Sequence, residues 1–361
     1  MSNRLIALAI LSISFSSFAT IELTEELSLS GFGSSSLARS NNTTPLIINR
    51  SISDENCWGC DTTLGIQLDY FNDNFKLSTQ LVKRPQDDWS DPELEWAYAG
   101  YSIGNVEVRA GRLRLPIFLA SEYFYVNQVY NYARPPEELY NSILGITAYN
   151  GVSLVWNIEL FDAHQLAITP FTSFGDSGSI NVTDTLDIDF NIKKLSGINF
   201  LLTGDFYRWN LSYLTSDFAQ KLRFTNARPG IPYFELDIPN DHLELYSLGA
   251  EYEFGSLLLT GERQIANLRS TWYVSAAYRI NKFVPYVVYG ENKAKVTKVS
   301  PFEGKSGSSF AMGLRYDLLY NVSINAEWQQ FKSFDGQRGA FVESPKEPDA
   351  DLYTLMLSFV F

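Results

Sequence analysis

Gly175-Asp176-Ser177-Gly178 is a stretch that could hold a nucleophilic serine. Such a serine needs a histidine hydrogen-bonded to it and an acid that orients the histidine. The chain has two histidines, His164 and His242, and neither lies in a supporting motif. The four residues therefore read as ordinary loop composition, and no catalytic residue is assigned. Cys57 and Cys60 are the only two cysteines. A single C-x-x-C pair offers too few ligands for structural zinc, and no βαβ pattern surrounds it to suggest a redox site. In an oxidising compartment such a pair closes a loop as a disulfide. No metal or cofactor is expected.

A richer constellation lies between residues 106 and 156. Val106, Val108 and Ala110 alternate with Glu107 and Arg109, and Val152, Leu154 and Trp156 alternate with Ser153 and Val155. Period two with one apolar face is the mark of a half-buried strand. Between these strands, residues 115–147 show no sustained alternation, and a loop this long tends to be functional. It carries Tyr123, Phe124, Tyr125, Tyr130, Tyr132 and Tyr140, with Glu122, Arg134, Glu137 and Glu138. A loop so aromatic would be poorly placed in bulk water, which suggests that it folds into something hollow. Gly111 is read as a bulge that brings Arg112 and Arg114 onto the face of Arg109. Pro135-Pro136-Glu137-Glu138 reads as the start of a short helix. Arg109, Arg112 and Arg114 on a wall, facing Glu122, Glu137 and Glu138 on an inward loop beside Arg134, would set up a transverse field across a constriction.

The ends of the chain define what carries this loop. Arg4, an apolar run from Leu5 to about Phe15 and Ser17-Phe18-Ala19 have the layout of a cleaved signal peptide, residues 1–19. Residues 20–361 then form one domain. No later stretch approaches the 18 or so apolar residues of a membrane helix. A mean hydropathy of −0.11 alone would suit a soluble protein. Against that, aromatics reach 15%, with 21 Tyr and 25 Phe. The chain also stops inside an alternating strand, with Tyr353, Leu355, Leu357, Phe359 and Phe361 on one face. The formal charge is −13. Its acidic residues crowd predicted external loops, among them Asp54, Glu55, Asp87, Asp88, Asp91, Asp237, Asp241, Glu347, Asp349 and Asp351. These read as a solvated surface or as ligands for divalent ions bridging lipopolysaccharide phosphates. No basic patch for nucleic acid and no phosphate-cradling glycine loop appears.

Alternating segments recur along the whole chain and give about 16 strands. Short turns are expected near residues 73, 104, 162, 204, 255, 281 and 320. Longer loops are expected near 50, 88, 130, 185, 233, 266, 301 and 342. That alternation is the layout of a transmembrane antiparallel β-barrel. Only helices and closed barrels satisfy backbone polar groups in lipid. A barrel of 16 strands leaves an aqueous channel.

On this strand pattern, on Phe361 and on the 106–156 segment, the chain resembles the Gram-negative outer-membrane porin superfamily, and within it the general diffusion porins. The resemblance implies an all-β fold whose third external loop, 115–147, folds into the pore. It implies passive diffusion of small hydrophilic solutes and ions, without catalysis. The alternative is a channel selective for anionic or sugar-like solutes. It further implies location in the outer membrane, contact with lipopolysaccharide and lipid, a homotrimer, and recognition of the terminal Phe361 by the barrel assembly machinery.

Overall fold

The computed structural model describes residues 20–85, 92–142, 146–183, 186–228, 231–296 and 302–361. The expected signal peptide, 1–19, and the acidic residues Asp87, Asp88 and Asp91 lie outside them. In chain order the strands are β1 Ile21–Glu22, β2 Leu27–Ser40, β3 Thr63–Asn72, β4 Phe75–Lys83, β5 Glu93–Ile103, β6 Val106–Arg114, β7 Ala148–Leu160, β8 His164–Ser173 and β9 Asp176–Thr183. They continue with β10 Leu186–Thr203, β11 Tyr207–Arg228, β12 Ile231–Phe254, β13 Leu257–Ala266, β14 Arg269–Tyr278, β15 Phe283–Ala294, β16 Gly304–Leu319, β17 Val322–Ser333 and β18 Asp349–Val360. A short helix, α1 Glu137–Tyr140, follows the Pro135-Pro136 pair.

All pairings are antiparallel. β8 pairs with the second half of β10, and β9 extends β8 along its first half. β18 pairs with β2, from Leu352–Ser40 to Val360–Phe32. Leaving aside β1 and the β9 extension, the ring is a closed barrel of 16 strands. Closure leaves no edge with unpaired N–H and C=O groups.

The side-chain alternation decides which face meets what. Ser34 and Ser36, Ser78 and Gln80, Asn210 and Ser212, and Ser323 and Asn325 point inward and are buried. Their neighbours Leu64, Ile66, Leu77, Leu211, Leu355 and Leu357 point outward and are exposed. An apolar outside over a polar inside is the inverse of a soluble protein and is what hydrocarbon requires. Phe71, Phe75, Tyr101, Phe206, Phe254, Phe283 and Tyr320 are exposed beside short turns and form an aromatic girdle at that end. The turns are tight. Asp73, Gly104, Gly255 and Asn281 hold left-handed φ values of 51°, 60°, 62° and 54°, which glycine, Asp and Asn tolerate best.

Two expectations need correction. The longer loops expected near residues 185 and 233 are largely replaced, among the described residues, by strands β9 to β12. β10, β11 and β12 run for 18, 22 and 24 residues, well beyond the roughly 9–11 that cross a membrane. Their far ends, with β9, project from the long-loop side as a sheet. Cross-strand pairs hold it: Arg223 to Asp189 at 2.7 Å, Lys221 to Asp237 at 3.6 Å, and the Phe224 and Phe234 rings 5.8 Å apart. Polar composition masked a strand that meets no lipid.

The second correction concerns the bulge. β6 keeps an unbroken register with β5 and β7 through Gly111. The irregularity lies across the ladder, where the pairing of β4 with β5 slips between Gln80–Trp96 and Leu81–Leu94. Glu95 and Trp96 therefore both avoid the outside, while Leu94 stays exposed. Gly111 answers a different need. Its φ is +136°, and a Cβ there would stand 2.3 Å from the Ala97 carbonyl oxygen.

The closing seam is packed through glycines. Gly31 and Phe361 exchange two backbone hydrogen bonds of 2.8 Å. The Phe361 ring covers Gly31 and the Phe359 ring covers Gly33, so a Cβ at Gly31 would meet the ring at 2.3 Å. Aromatic cover of a cross-strand glycine shields bare backbone. Gly31→Leu is therefore expected to stop closure and sharply lower the fraction migrating as folded barrel on unheated gels. Full folding of that variant would show that the seam does not depend on this contact.

Candidate functional site

The 115–147 segment lies against the inner wall. The Ile117 carbonyl accepts hydrogen bonds from Asn210 at 2.7 Å and Ser212 at 2.8 Å on β11. The Leu119 N–H donates to Glu262 on β13 at 2.8 Å. The Gln128 carbonyl accepts from Arg315 on β16 at 2.7 Å, and the Tyr130 carbonyl accepts from the same guanidinium. Asn325 on β17 donates to the Asn131 carbonyl at 3.0 Å, and the Ala133 N–H donates to Glu327 at 3.1 Å. Asn127 donates to Ser34 on β2 at 3.0 Å. These partners come from β2 and from β11 round to β17. The segment is strung across the lumen by its own backbone groups, which a buried loop must satisfy somewhere.

Two charge clusters fix it, one within the segment and one at its ends. In the first, Arg134 binds the Asp61 carboxylate through two nitrogens, at 2.8 and 2.5 Å, and Thr354 at 2.9 Å. Arg50 reaches the same Asp61 at 2.6 Å and Glu137 at 3.1 Å. Asp61 is buried. Burial works against its charge, but Arg134 and then Arg50 outweigh it and hold the carboxyl well below the usual range. Cys57 and Cys60, immediately before Asp61, form a disulfide, and Cys57 also pairs with Ala38 through backbone bonds of 2.8 and 2.9 Å. This clip holds the turn that presents Asp61.

In the second cluster Glu95, fully buried, takes Arg114, Arg84 and the Thr147 hydroxyl, the last at 2.9 Å. The Arg114 guanidinium also lies 5.1 Å from the Tyr125 ring centre, within cation–π range. Both ends of the loop thus meet one buried carboxylate: Arg114 just before it and Thr147 at its close.

Aromatic rings fill the space between. Tyr130 stacks on Tyr132 at 5.5 Å, Phe124 on Tyr140 at 5.5 Å, and Tyr140 and Tyr273 both donate to Glu262, at 2.6 and 2.8 Å. Tyr286 donates to Glu327 at 2.9 Å. Glu262 and Glu327 are thus each met by phenol donors as well as by a loop N–H group. Two wall glycines make room: a Cβ at Gly290 would stand 2.6 Å from a Glu138 oxygen, and one at Gly249 2.8 Å from Leu119.

The residues singled out from sequence divide as follows. Arg109, Arg114 and Glu122 line one cavity of about 410 Å³, with Lys76, Trp96 and Tyr98. Arg109 is tied to Glu107 by two bonds of 2.9 Å. Arg112 is not with them. It donates to the Leu94 carbonyl at 2.8 Å and to Asp176 at 3.3 Å, on the face that an unbroken alternation gives it. Arg134 and Glu137 belong to the Asp61 cluster, and Glu138 sits against Gly290. Phe361 is in the seam. Ser177 has no histidine beside it, because His164 is hydrogen-bonded to Tyr207 and His242 to Asp217. The loop's main anchors, Asp61, Glu95, Glu262, Glu327 and Arg315, were not anticipated. For Glu95, Glu262, Glu327 and Arg315 the only signal was a charge at an inward position of an alternating strand; Asp61, in the connection before β3, carried none.

The acids of this loop respond to pH in opposite senses. Burial pushes Glu138 up to about 6 and raises Glu137 against the pull of Arg50. A raised carboxyl penalises the folded loop above that value, and the penalty fades as pH falls towards about 4.3. Asp61, held low, stabilises at all pH above about 3.9 and loses its effect below. Resistance of residues 115–147 to protease should therefore rise between pH 7 and pH 5 and fall again below pH 4. Glu138→Gln should remove most of the rise. Asp61→Asn leaves two buried guanidinium groups short of a partner, at a cost of about 3–5 kcal/mol. It should expose the loop to protease at pH 7 while the barrel stays folded. An equally resistant loop in that variant would show that Asp61 does not anchor it.

No family model matches the chain, and no curated protein matches its sequence. Solved structures do match. The Salmonella typhi OmpF complex with daunomycin superposes with a TM-score of 0.64 at 13% identity, covering 95% of this chain and all of that one. The anion-selective porin from Comamonas acidovorans gives 0.60 at 12%, covering 93% and 99%. The trimer form of in-vitro folded OmpT of Vibrio cholerae gives 0.59 at 13%, again covering 93% and 99%. At such identities the likeness is one of fold. From end to end, the chain has the 16-stranded barrel fold of the Gram-negative outer-membrane porins.

Proposed function

We propose that the protein is an outer-membrane channel through which small hydrophilic solutes and ions diffuse passively. The observation that carries this reading is the loop of residues 115–147, bonded across the inside of a closed barrel and flanked by a polar cavity of about 410 Å³. A loop held so firmly narrows the lumen and leaves this cavity beside it. The reading assigns neither enzyme activity nor cofactor. Arg109, Arg114 and Lys76 oppose Glu122 around the cavity, so polar solutes meet a transverse field there.

The solved trimer of the same fold supports a homotrimer. The apolar belt supports a place in outer-membrane lipid, with lipopolysaccharide on the long-loop side. Residues 1–19 act as the cleaved export signal and Phe361 as the assembly signal in this reading.

Planar-bilayer conductance with sugars of graded size tests it: a stepwise conductance that falls with sugar radius is expected, and a non-conducting barrel would overturn it. The chain's charge of −13 should tilt selectivity towards cations, since acidic loops raise the local cation concentration. That tilt should fade at 1 M salt, where screening acts over roughly 3 Å. Lys76→Gln removes one cation from the cavity without touching a buried ion pair. It should move the reversal potential further towards cations, and an unchanged potential would place the selective region elsewhere.

A further inference from the structure

A second cavity, of about 150 Å³, lies on the long-loop side of the 115–147 segment. Leu195, Leu214, Phe190, Phe218, Leu243 and Leu245 line it. These side chains come from the projecting halves of β10, β11 and β12 and face inward. The corresponding inward positions nearer the short turns are Asn199, Asn210, Ser212 and Ser247. The wall thus changes from polar to apolar just outside the loop. A water-filled vestibule has no need of that change, and an apolar surface left open to water is costly. An engineered apolar cavity of about 150 Å³ takes up benzene, so this one has room for a single ring.

The rim is cationic. Arg269 lines the cavity, and Arg338 of the 334–348 connection lies within repulsive range of it. Among the described residues neither guanidinium has a carboxylate partner. Lys295 adds a third positive charge, its ammonium spent on the neutral Ala266 carbonyl at 2.7 Å. Ala266 is itself part of the lining. Elsewhere in the lumen arginines are matched by acids: Arg134 by buried Asp61, Arg84 and Arg114 by buried Glu95, and Arg109 by half-buried Glu107. In a chain of net charge −13, unmatched neighbouring cations at an apolar cavity call for an anion from outside. A carboxylate accepts from a guanidinium fork with two oxygens.

We propose that this cavity binds monoaromatic carboxylates, with the ring among Leu195, Leu214, Phe218 and Leu245 and the carboxylate on Arg269, which lines it. Passage through the lumen would then begin with capture of the solute. The site lies outside the 410 Å³ cavity and uses none of its residues. Its occupancy does not require that ions flow, so it can stand or fall apart from the channel reading.

Calorimetric titration of the folded protein in lipid nanodiscs, with empty nanodiscs as control, tests it. Phenylacetate should bind. Phenylacetamide, which lacks the charge, and acetate, which lacks the ring, should each bind at least about tenfold more weakly, as expected when one charge-assisted contact or one buried ring is lost. Arg269→Gln should weaken phenylacetate by a similar factor and leave phenylacetamide unchanged. Ser216→Phe, which fills the cavity from β11 between Leu214 and Phe218, should abolish binding while the protein still migrates as a folded barrel. Equal binding of acetate and phenylacetate, or no effect of either substitution in folded protein, would overturn the proposal. Tighter binding of octanoate than of phenylacetate would overturn the aromatic assignment and make the site one for acyl chains.

Discussion

The backbone has to be satisfied without help from solvent wherever the outside of the molecule is apolar. One interaction meets that need: the continuous antiparallel ladder that returns from β18 to β2. All else follows from closure. A ring of 16 strands is too wide for wall side chains to fill, so an interior is created that must be either water or chain. Residues 115–147 supply chain. Because this chain carries its own N–H and C=O groups inside, the wall has to present partners for them. That is why Asn210, Ser212, Glu262, Arg315, Asn325 and Glu327 stand on inward positions of strands.

The buried charges are best understood as consequences of that loop. Asp61 and Glu95 each take two arginines, and each pair joins the loop to a different part of the barrel. Burying ions rarely adds net stability over a well-packed apolar core, but removing one partner from such a set is severe. The arrangement therefore specifies a single loop position more than it strengthens the barrel. The Cys57–Cys60 clip acts at the same point, fixing the short turn that delivers Asp61. The tyrosines serve both sides. Their rings fill the space between loop and wall, and their hydroxyls supply donors to Glu262 and Glu327.

The fold was legible because lipid enforces period two: Tyr353, Leu355 and Leu357 have no other place to point. The loop was legible because an aromatic stretch of 33 residues breaks that period. Where lipid exerts no constraint, legibility failed. The far halves of β10, β11 and β12 project beyond the belt, so their outward residues need not be apolar, and Lys221, Arg223, Glu235 and Asp237 read as loop until their cross-strand partners are known. Arg112 was misplaced for a related reason. Gly111 looked like a bulge, but the ladder absorbs its irregularity one strand away, at Glu95. A sequence shows that a strand contains a glycine; only the pairing shows which strand slips. The anchors Asp61 and Glu95 were hidden because a lone acid in a polar connection or beside a tryptophan carries no local mark of burial.

The lumen is uneven in how its charges are matched, and that unevenness separates structural from recognitional roles. At the loop, Arg134 and Arg50 meet Asp61, and Arg84 and Arg114 meet Glu95, so these cations are matched by buried anions. Further out, Arg269 and Arg338 meet no acid among the described residues, and the surface beside Arg269 turns apolar. Nothing in the barrel's construction needs this. The ladder closes without it, the loop is already anchored on β11 and β13, and a polar wall would be easier to keep hydrated. Neither closure nor loop anchoring explains this combination of guanidinium and apolar wall, which is why the proposed ligand has one charged end and one apolar end.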